Sequence, residues 1–294
     1  KAGDHVLVTD SVYGPTRTFC DVVLKRYGID VEYYDPVIGP GIASLIRAET
    51  SVVYTEAPGS QTFEMQDIPA IAKAAHDAGA LVIMDNTWAS PLFCNPFALG
   101  ADVSIQAATK YIVGHSDVMM GTITTNESVW RATIKNHGAI GITAGPDDIY
   151  LALRGLRTLS VRLHRHMETG IFLAKWLEDR PEVSRVLHPA LPTDPGHEIW
   201  KRDFSGACGL FGVVLKPVSD KAVAAMLDDL ELFGMGYSWG GYESLIIPAD
   251  PTSNRTATKW APEGPLIRIH AGLEDPQDLI TDLEAGFERL AKHS

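Results

Sequence analysis

Short apolar runs alternate with amphipathic stretches through the first half of the chain. Runs at 6–9, 31–34, 51–55, 81–85, 102–106 and 118–124 are rich in Val, Ile, Leu and Tyr, which predicts strands. Between them, 16–27, 41–48 and 67–78 carry helical patterns. In Ile68-Pro69-Ala70-Ile71-Ala72-Lys73-Ala74-Ala75-His76 the apolar residues recur three and four positions apart, and Gly79 stops the pattern. Strand–helix alternation with nearly continuous apolar strands predicts an α/β domain, its mainly parallel sheet covered on both faces. In such sheets a ligand sits beyond the carboxyl ends of the strands.

The second half follows another pattern. A helical stretch begins after Gly145-Pro146, where Asp147 and Asp148 suit a helix N-terminus, and runs with a bend to about residue 179. Strands at 209–215 and 266–270 then flank a helix at 221–230, and a last helix covers 276–291. This reads as a smaller α+β domain. The division is expected near residue 155, giving a large domain over 1–155 and a C-terminal one over 156–294. No internal repeat or low-complexity segment interrupts the chain. Its opening, Lys1-Ala2-Gly3-Asp4, leads straight into the apolar run His5-Val6-Leu7-Val8-Thr9 and reads as the middle of a domain, so further residues are expected upstream.

With 294 residues, 45% of them hydrophobic, the chain holds ample apolar material for a sizeable core. The net charge of -12, spread along the sequence, argues against nucleic-acid binding. No apolar run approaches the roughly 18 residues that a membrane-spanning helix needs, and no signal peptide is expected. Cys20, Cys94 and Cys208 are too few and too scattered for a disulfide framework or a zinc site. Reduced core thiols in a cytoplasmic setting are expected.

The chemistry concentrates in Gln106-Ala107-Ala108-Thr109-Lys110-Tyr111-Ile112-Val113-Gly114-His115-Ser116-Asp117. Lys110 follows a predicted strand in a loop bearing Gly, Ser and Thr. A lysine in a protected pocket can lose its proton and attack an aldehyde. Asp85 ends the apolar strand before it. Alone, Asp85 fits a turn or cap as well as it fits a carboxylate that keeps a pyridine nitrogen protonated. A strand-end Asp, a strand and a strand-end Lys are together what a pyridoxal phosphate site requires. Tyr13, in Val12-Tyr13-Gly14-Pro15-Thr16, reads by itself as a packing or surface aromatic. Arg268 alternates with Ile267 and Ile269 in an apolar strand and needs a partner there. That partner is either a structural ion pair or a carboxylate ligand suited to its planar fork. Gly240-Gly241, flanked by Tyr237, Trp239 and Tyr242, marks a tight turn or a close backbone approach. His164 and His166 lie two apart on a helix beside Arg162 and Arg165, so they share no face; a solvated or domain-interface role is expected rather than a metal site. His115 reads as a hydrogen-bonded structural residue.

Met84-Asp85-Asn86-Thr87-Trp88, Ala108-Thr109-Lys110-Tyr111 and Gly114-His115-Ser116-Asp117 closely resemble, in order and spacing, the motifs of the cysteine/methionine-metabolism family of fold-type I pyridoxal phosphate enzymes. The likeness covers essentially the whole chain. It implies the fold-type I transferase fold, with a mainly parallel seven-stranded-type sheet between helices and the smaller α+β domain after it. It implies pyridoxal 5'-phosphate joined to Lys110, with Asp85 on the ring nitrogen and Thr109 on the phosphate. Tyr13 matches the tyrosine that stacks on the ring and takes part in proton transfer. Arg268 matches the arginine that clamps the substrate α-carboxylate. The stretch Tyr237-Ser238-Trp239-Gly240-Gly241-Tyr242-Glu243-Ser244 is similar to that of bacterial cystathionine β-lyases, where γ-lyases and γ-synthases carry Ser-Leu-Gly-Gly-like versions. Tyr237, Ser238 and Trp239 are accordingly assigned to the substrate pocket. The implied reaction is β-elimination of L-cystathionine to homocysteine, pyruvate and ammonia. γ-Elimination or γ-replacement on the same fold is the alternative, and a non-catalytic protein of this fold is a third reading.

Two departures matter. Ala107 stands where many relatives place a phosphate-contacting Ser. Glu56-Ala57-Pro58-Gly59-Ser60-Gln61 replaces Glu-x-Pro-x-Asn-Pro, which puts Ser60 near the ring hydroxyl, as in bacterial β-lyases. The family's Gly-rich phosphate loop and its Tyr-x-Arg, which reaches the neighbouring subunit, are not found in the sequence. About 100 further residues are therefore expected upstream. The resemblance also implies a homotetramer, a dimer of dimers, with sites shared between subunits.

Overall fold

The computed structural model describes residues 1–293. The first half folds around a sheet of β1 (His5–Thr9), β2 (Asp30–Tyr34), β3 (Thr50–Glu56), β4 (Leu81–Asp85), β5 (Val103–Ala107) and β6 (Gly121–Thr125). Its order is β2-β1-β3-β4-β5-β6, parallel through β5, with β6 antiparallel at the edge. Six strands correspond to the six apolar runs of the sequence, against the seven implied by the family resemblance. All five residues of β1 are buried, as a strand covered on both faces requires. The helix Ile68–Asp77 starts with Asp67 accepting the Ala70 N–H at 3.3 Å, carries Pro69 in its first turn, and is followed by Gly79 at a φ of +80°. It buries Ile68, Ile71, Ala72 and Ala75 in the core formed with Val53, Val82 and Met84. Truncating Ile71 to Ala there costs roughly 2–5 kcal/mol.

Helical patterns translate less evenly. The stretch predicted at 16–27 is helical but irregular, an α-turn at Gly14–Thr18 widening through Phe19–Leu24 and tightening at Lys25–Tyr27. The one predicted at 41–48 is a 3₁₀ segment, Gly39–Ser44, because two glycines and Pro40 disfavour α-helix propagation. A helix at Glu127–Ile140 was not predicted. Asn126 caps it through the N–H groups of Ser128 and Val129, yet it buries no side chain and so has no core-facing stripe to read.

The second half forms β7 (Val183–Leu187), β8 (Leu210–Leu215), β9 (Leu245–Ala249) and β10 (Leu266–His270), an antiparallel sheet in the order β7-β8-β10-β9. The long helical stretch breaks at Thr158 into Pro146–Arg157 and Leu159–Glu178. Leu159 and Leu163 pack in the first core, Leu173, Ala174 and Leu177 in the second, so this helix passes from one to the other. At the break, Arg162 donates to the carbonyls of Gly155 and Tyr111, both at 2.8 Å. A side chain at Gly155 would run into the Val113 carbonyl, 2.3 Å away, so glycine lets the helix lie on the loop that follows Lys110.

Cys20, Cys94 and Cys208 are buried and free, and burial pushes the Cys94 and Cys208 thiols up to about 12. His166 is fully buried between Tyr111 and His270, with its Nδ1 2.8 Å from the Ala271 carbonyl. Of the two roles expected for the histidine pair, His166 takes the contact role and His164 stays at the surface.

Candidate active site

β3, β4 and β5 end side by side at Glu56, Asp85 and Ala107, with Glu56 opposite Asp85 in register. Beyond these ends lies a cleft of about 350 Å³ between the two halves of the molecule. Tyr13, Ser60, Asp85 and Lys110 line it from the first half, and Tyr237, Trp239 and Arg268 from the second. Seven of the nine residues singled out in the sequence therefore meet in one place, and an eighth, Ser238, touches Lys110 there.

Lys110 stands in a tight turn closed by its own N–H on the Ala107 carbonyl and by the Gly114 N–H on its carbonyl. Nζ donates to Ser238 Oγ at 2.9 Å and lies 5.2 Å from the centre of the Trp239 ring. Burial, and then the positive charge of Arg268, lower its pKa to about 8. Close to neutral pH, a usable fraction of this amine is thus an unprotonated nucleophile.

Asp85 Oδ1 accepts from the Thr87 N–H (2.9 Å) and hydroxyl (2.6 Å), and the same hydroxyl accepts the Ala107 N–H at 2.9 Å, tying β4 to β5. Burial raises the carboxyl's proton affinity more than the Thr87 bonds lower it. Among the described residues, Asp85 Oδ2 has no partner. Glu56 was missed in the sequence, although it too is an acid at the end of an apolar strand. Burial, then repulsion from Asp85, raise its proton affinity well above that of an ordinary carboxylate. Its Oε2 accepts the Tyr13 N–H at 2.8 Å, which fixes the start of the helix Gly14–Thr18 and so places the half-exposed Tyr13 ring in the cleft.

Arg268 lies in β10, only 8% exposed, with Nη2 donating to the Tyr237 carbonyl at 2.6 Å. The ion-pair reading fails: among the described residues no carboxylate pairs with it. Burial lowers its pKa to about 10. A buried guanidinium without a counter-ion is costly alone and favours an anion.

Thr109 is not brought to the cleft wall. Its hydroxyl donates to the Met120 carbonyl (3.2 Å) and accepts the Met120 N–H (2.9 Å), closing the loop between Lys110 and β6. His115 bonds the Val113 carbonyl at 2.7 Å, the structural role expected of it. Ser60 is held by its N–H on the Ser11 carbonyl at 2.8 Å. Its neighbours Gln61 and Phe63 have φ of +66° and +59°, a strained conformation for side-chain-bearing residues. Arg255 braces this loop from the second half, through the Thr62 hydroxyl and through Glu64 at 2.7 Å. Nothing in the polar sequence around Arg255 discloses that role.

An amine of lowered proton affinity, a carboxylate with a free oxygen, an aromatic ring and an unpaired guanidinium thus share one cleft. They complement an aldehyde, a protonated ring nitrogen, a flat ring face and a carboxylate, so pyridoxal phosphate with an amino-acid substrate fits the groups present. The family described as Cys/Met metabolism PLP-dependent enzymes matches residues 1–288. The chain is 55% identical, over 97% of its length and 73% of the relative's, to a protein of Rhizobium johnstonii named putative cystathionine beta-lyase. It is 46% identical to the Escherichia coli cystathionine beta-lyase MetC, over 99% of this chain and 75% of that one. Among solved structures, cystathionine gamma synthase from Xanthomonas oryzae pv. oryzae, in complex with aminoacrylate and cysteine, is 31% identical with a TM-score of 0.91, covering 100% of this chain and 77% of that one.

Proposed function

Because the chain belongs to the family of Cys/Met metabolism PLP-dependent enzymes, we propose that it is a carbon–sulfur lyase that cleaves L-cystathionine by β-elimination to homocysteine, pyruvate and ammonia. The observation that carries this reading is Trp239, in its Tyr-Ser-Trp-Gly-Gly stretch, lying over Lys110 in the cleft that also holds Asp85 and Arg268. The names of the relatives at 55% and 46% identity point the same way.

Bound pyridoxal phosphate supplies the electron sink that stabilises negative charge at the substrate Cα. Asp85 would hold the ring nitrogen in its protonated form through its free oxygen. Tyr13 would cover a ring face, Ser60 would serve the ring hydroxyl, and Thr109 is assigned to the phosphate, which its hydroxyl would take in place of the Met120 carbonyl. Arg268 takes the substrate α-carboxylate in place of the Tyr237 carbonyl, and Tyr237, Ser238 and Trp239 bound the substrate side chain. Either Lys110 Nζ, poised near pH 8, or Tyr13 takes the Cα proton, and Lys110 delivers a proton to the sulfur as the C–S bond breaks. Homocysteine leaves as the thiol, and water converts the remaining three-carbon fragment to pyruvate and ammonia.

The reading includes the division into 1–155 and 156–294 and a cytoplasmic homotetramer, a dimer of dimers. Trp130, Ile134, Ile140 and Leu153, left exposed on the helices Glu127–Ile140 and Pro146–Arg157, support burial against other subunits, and the reduced thiols suit the cytoplasm. No helix among the described residues is long and apolar enough to cross a membrane.

Identification of the keto acid released from L-cystathionine tests the proposal. Pyruvate is expected, with none from Lys110→Ala. 2-Oxobutyrate would transfer the chain to the γ-lyases, and absence of any keto acid from the cofactor-loaded protein would refute the enzymatic reading.

A further inference from the structure

The part of the second half that touches Lys110 is an irregular loop, residues 237–243, without a helix or strand to fix it. Ser238 accepts the lysine Nζ, and Trp239 packs beside it. Gly240, at φ +85°, lies so close that an added side chain would come within 2.9 Å of the Lys110 backbone. The loop's position therefore sets the surroundings of the amine. One bond holds the loop from the lysine's own segment, the Ser116 hydroxyl donating to the Glu243 carboxylate at 2.9 Å, and the rest form a short series to β10 and the residues after it. Its end is tied by the Leu273 N–H on the Tyr242 carbonyl (2.8 Å) and by Ser244 on Glu274. Its start is tied by Arg268 on the Tyr237 carbonyl. Arg268 is the group assigned above to the substrate carboxylate, so that anchor is given up on binding.

His270 supplies the anchor between them, and it is not among the residues that line the cleft. It is 1% exposed, two positions beyond Arg268 on β10. Its Nε2 lies 3.0 Å from the Gly240 nitrogen and its Nδ1 3.1 Å from the Glu243 carbonyl. An amide N–H can only donate and a carbonyl can only accept. The ring is therefore neutral, with its proton on Nδ1 and its lone pair on Nε2. Burial, then the neighbouring His166, disfavour a second proton, which would set two N–H donors against each other at Gly240. The ring also lies 5.9 Å from that of Tyr111, the residue after Lys110, and Tyr111 in turn lies 5.6 Å from Trp239. His270 thus meets the lysine's surroundings from the loop side and from the lysine's own turn.

We propose that His270 is a positioning residue for the reaction, holding the 240–243 turn by both ring nitrogens so that Ser238 and Trp239 stay on Lys110 while Arg268 is engaged with substrate. The inference rests on the lyase reading for its kinetic consequence and on the hydrogen bonds alone for its structural one.

The two nitrogens can be separated with the cofactor-loaded protein. In His270→Asn the side-chain amide matches the Nδ1 position and can still donate to Glu243, but nothing reaches Gly240. In His270→Gln the oxygen reaches the Nε2 position and can still accept from Gly240. Hydrogen exchange is read by mass spectrometry on peptides covering 237–244, beside kcat and KM on cystathionine. His270→Asn is expected to speed exchange and lower kcat on the order of 10- to 100-fold, the loss that a displacement of about 1 Å produces, with KM changed less than about threefold. His270→Gln is expected to restore most of both. A merely structural histidine would give variants that are equally impaired, or impaired in proportion to their melting temperatures, and that result overturns the proposal. So does unchanged exchange in His270→Asn, or faster exchange with kcat intact. If the native chain fails to turn over cystathionine, the lyase reading falls, and the contrast in exchange between Asn and Gln alone decides about His270.

Discussion

Replacing Asp10 should loosen the joint between the two halves of the molecule. Asp10 follows β1, is 1% exposed, and accepts the backbone N–H groups of Thr256 (3.0 Å), Ala257 (3.1 Å) and Thr258 (2.8 Å), the Thr258 hydroxyl (2.8 Å) and Arg17 Nη2 (2.5 Å). These partners in 256–258 belong to the connection between β9 and β10, so one carboxylate joins the small sheet to the end of the large one. Asp10→Ala strands a guanidinium that is only 6% exposed and leaves three N–H donors unmatched. Breaking a buried pair costs about 3–5 kcal/mol, and water entering the vacated space offsets part of the N–H loss, so about 3–5 kcal/mol is the expected total. At about 2–4 °C per kcal/mol for a chain of this class, the melting temperature falls by roughly 6–20 °C. Asp10→Asn keeps one acceptor and turns an NH₂ group toward the donors, for about half that loss. Burial alone would push the Asp10 carboxyl up, but the N–H and hydroxyl donors outweigh it and hold the pKa below the usual range. A depressed folded pKa contributes stability that is complete above the unfolded value near 3.9 and is lost as pH falls through the folded value. The gap between native and Asp10→Asn in urea melts should therefore be constant from about pH 5 upward and narrow in acid. A loss below about 1 kcal/mol in Asp10→Ala, or a gap that widens in acid, would refute the reasoning.

Three further outcomes follow from the cleft. Arg268→Leu removes a charge that holds down the Lys110 pKa, so the pH at which an amine-directed reagent labels Lys110 should move upward from about 8, burial keeping it below that of a free lysine; the KM for cystathionine should rise on the order of 10- to 100-fold. Glu56→Gln keeps an acceptor for the Tyr13 N–H and should leave kcat within about threefold, whereas Glu56→Ala orphans that N–H and should cost about 1 kcal/mol in thermal unfolding. Arg255→Met unbraces the strained loop at Gln61 and Phe63, and a several-fold rise in KM with faster proteolytic nicking between 59 and 64 is the expected reading.

Much of this was legible in the sequence for definite reasons. Parallel strands buried on both faces must be continuously apolar, so β1 to β5 could be read directly, and strand-end positions announced Asp85 and Lys110 as neighbours. Arg268 was legible because a guanidinium in an apolar strand demands a partner; the structure decided against the ion pair by showing none among the described residues. What stayed hidden depends on tertiary contact. β7 and β9 are short antiparallel strands whose pairing with β8 and β10 spans tens of residues. The helix Glu127–Ile140 shows no buried stripe. Glu56 gains its meaning from standing opposite Asp85, and Arg255 and Asp10 from partners nearly two hundred residues or more away in sequence. Thr109 shows the converse: the motif assigns its hydroxyl to phosphate, while the fold engages it with Met120.

The chemistry of Lys110 is accordingly a property of contact between the two halves. Its turn belongs to the large sheet, yet Ser238, Trp239 and Gly240, which cover the amine, and Arg268, whose charge adds to the effect of burial, all come from the small one. If the halves part, these leave together and water replaces them, so the amine returns toward an ordinary lysine and loses its unprotonated fraction near neutral pH. The Asp10 clasp, the Arg255 brace and the His270 anchor lie outside the reacting atoms but govern that contact. A variant such as Asp10→Asn should then raise the pH at which Lys110 is labelled at temperatures well below its melting point. If labelling shifted only at the melting transition itself, the amine would owe its lowered proton affinity to its own half of the molecule alone.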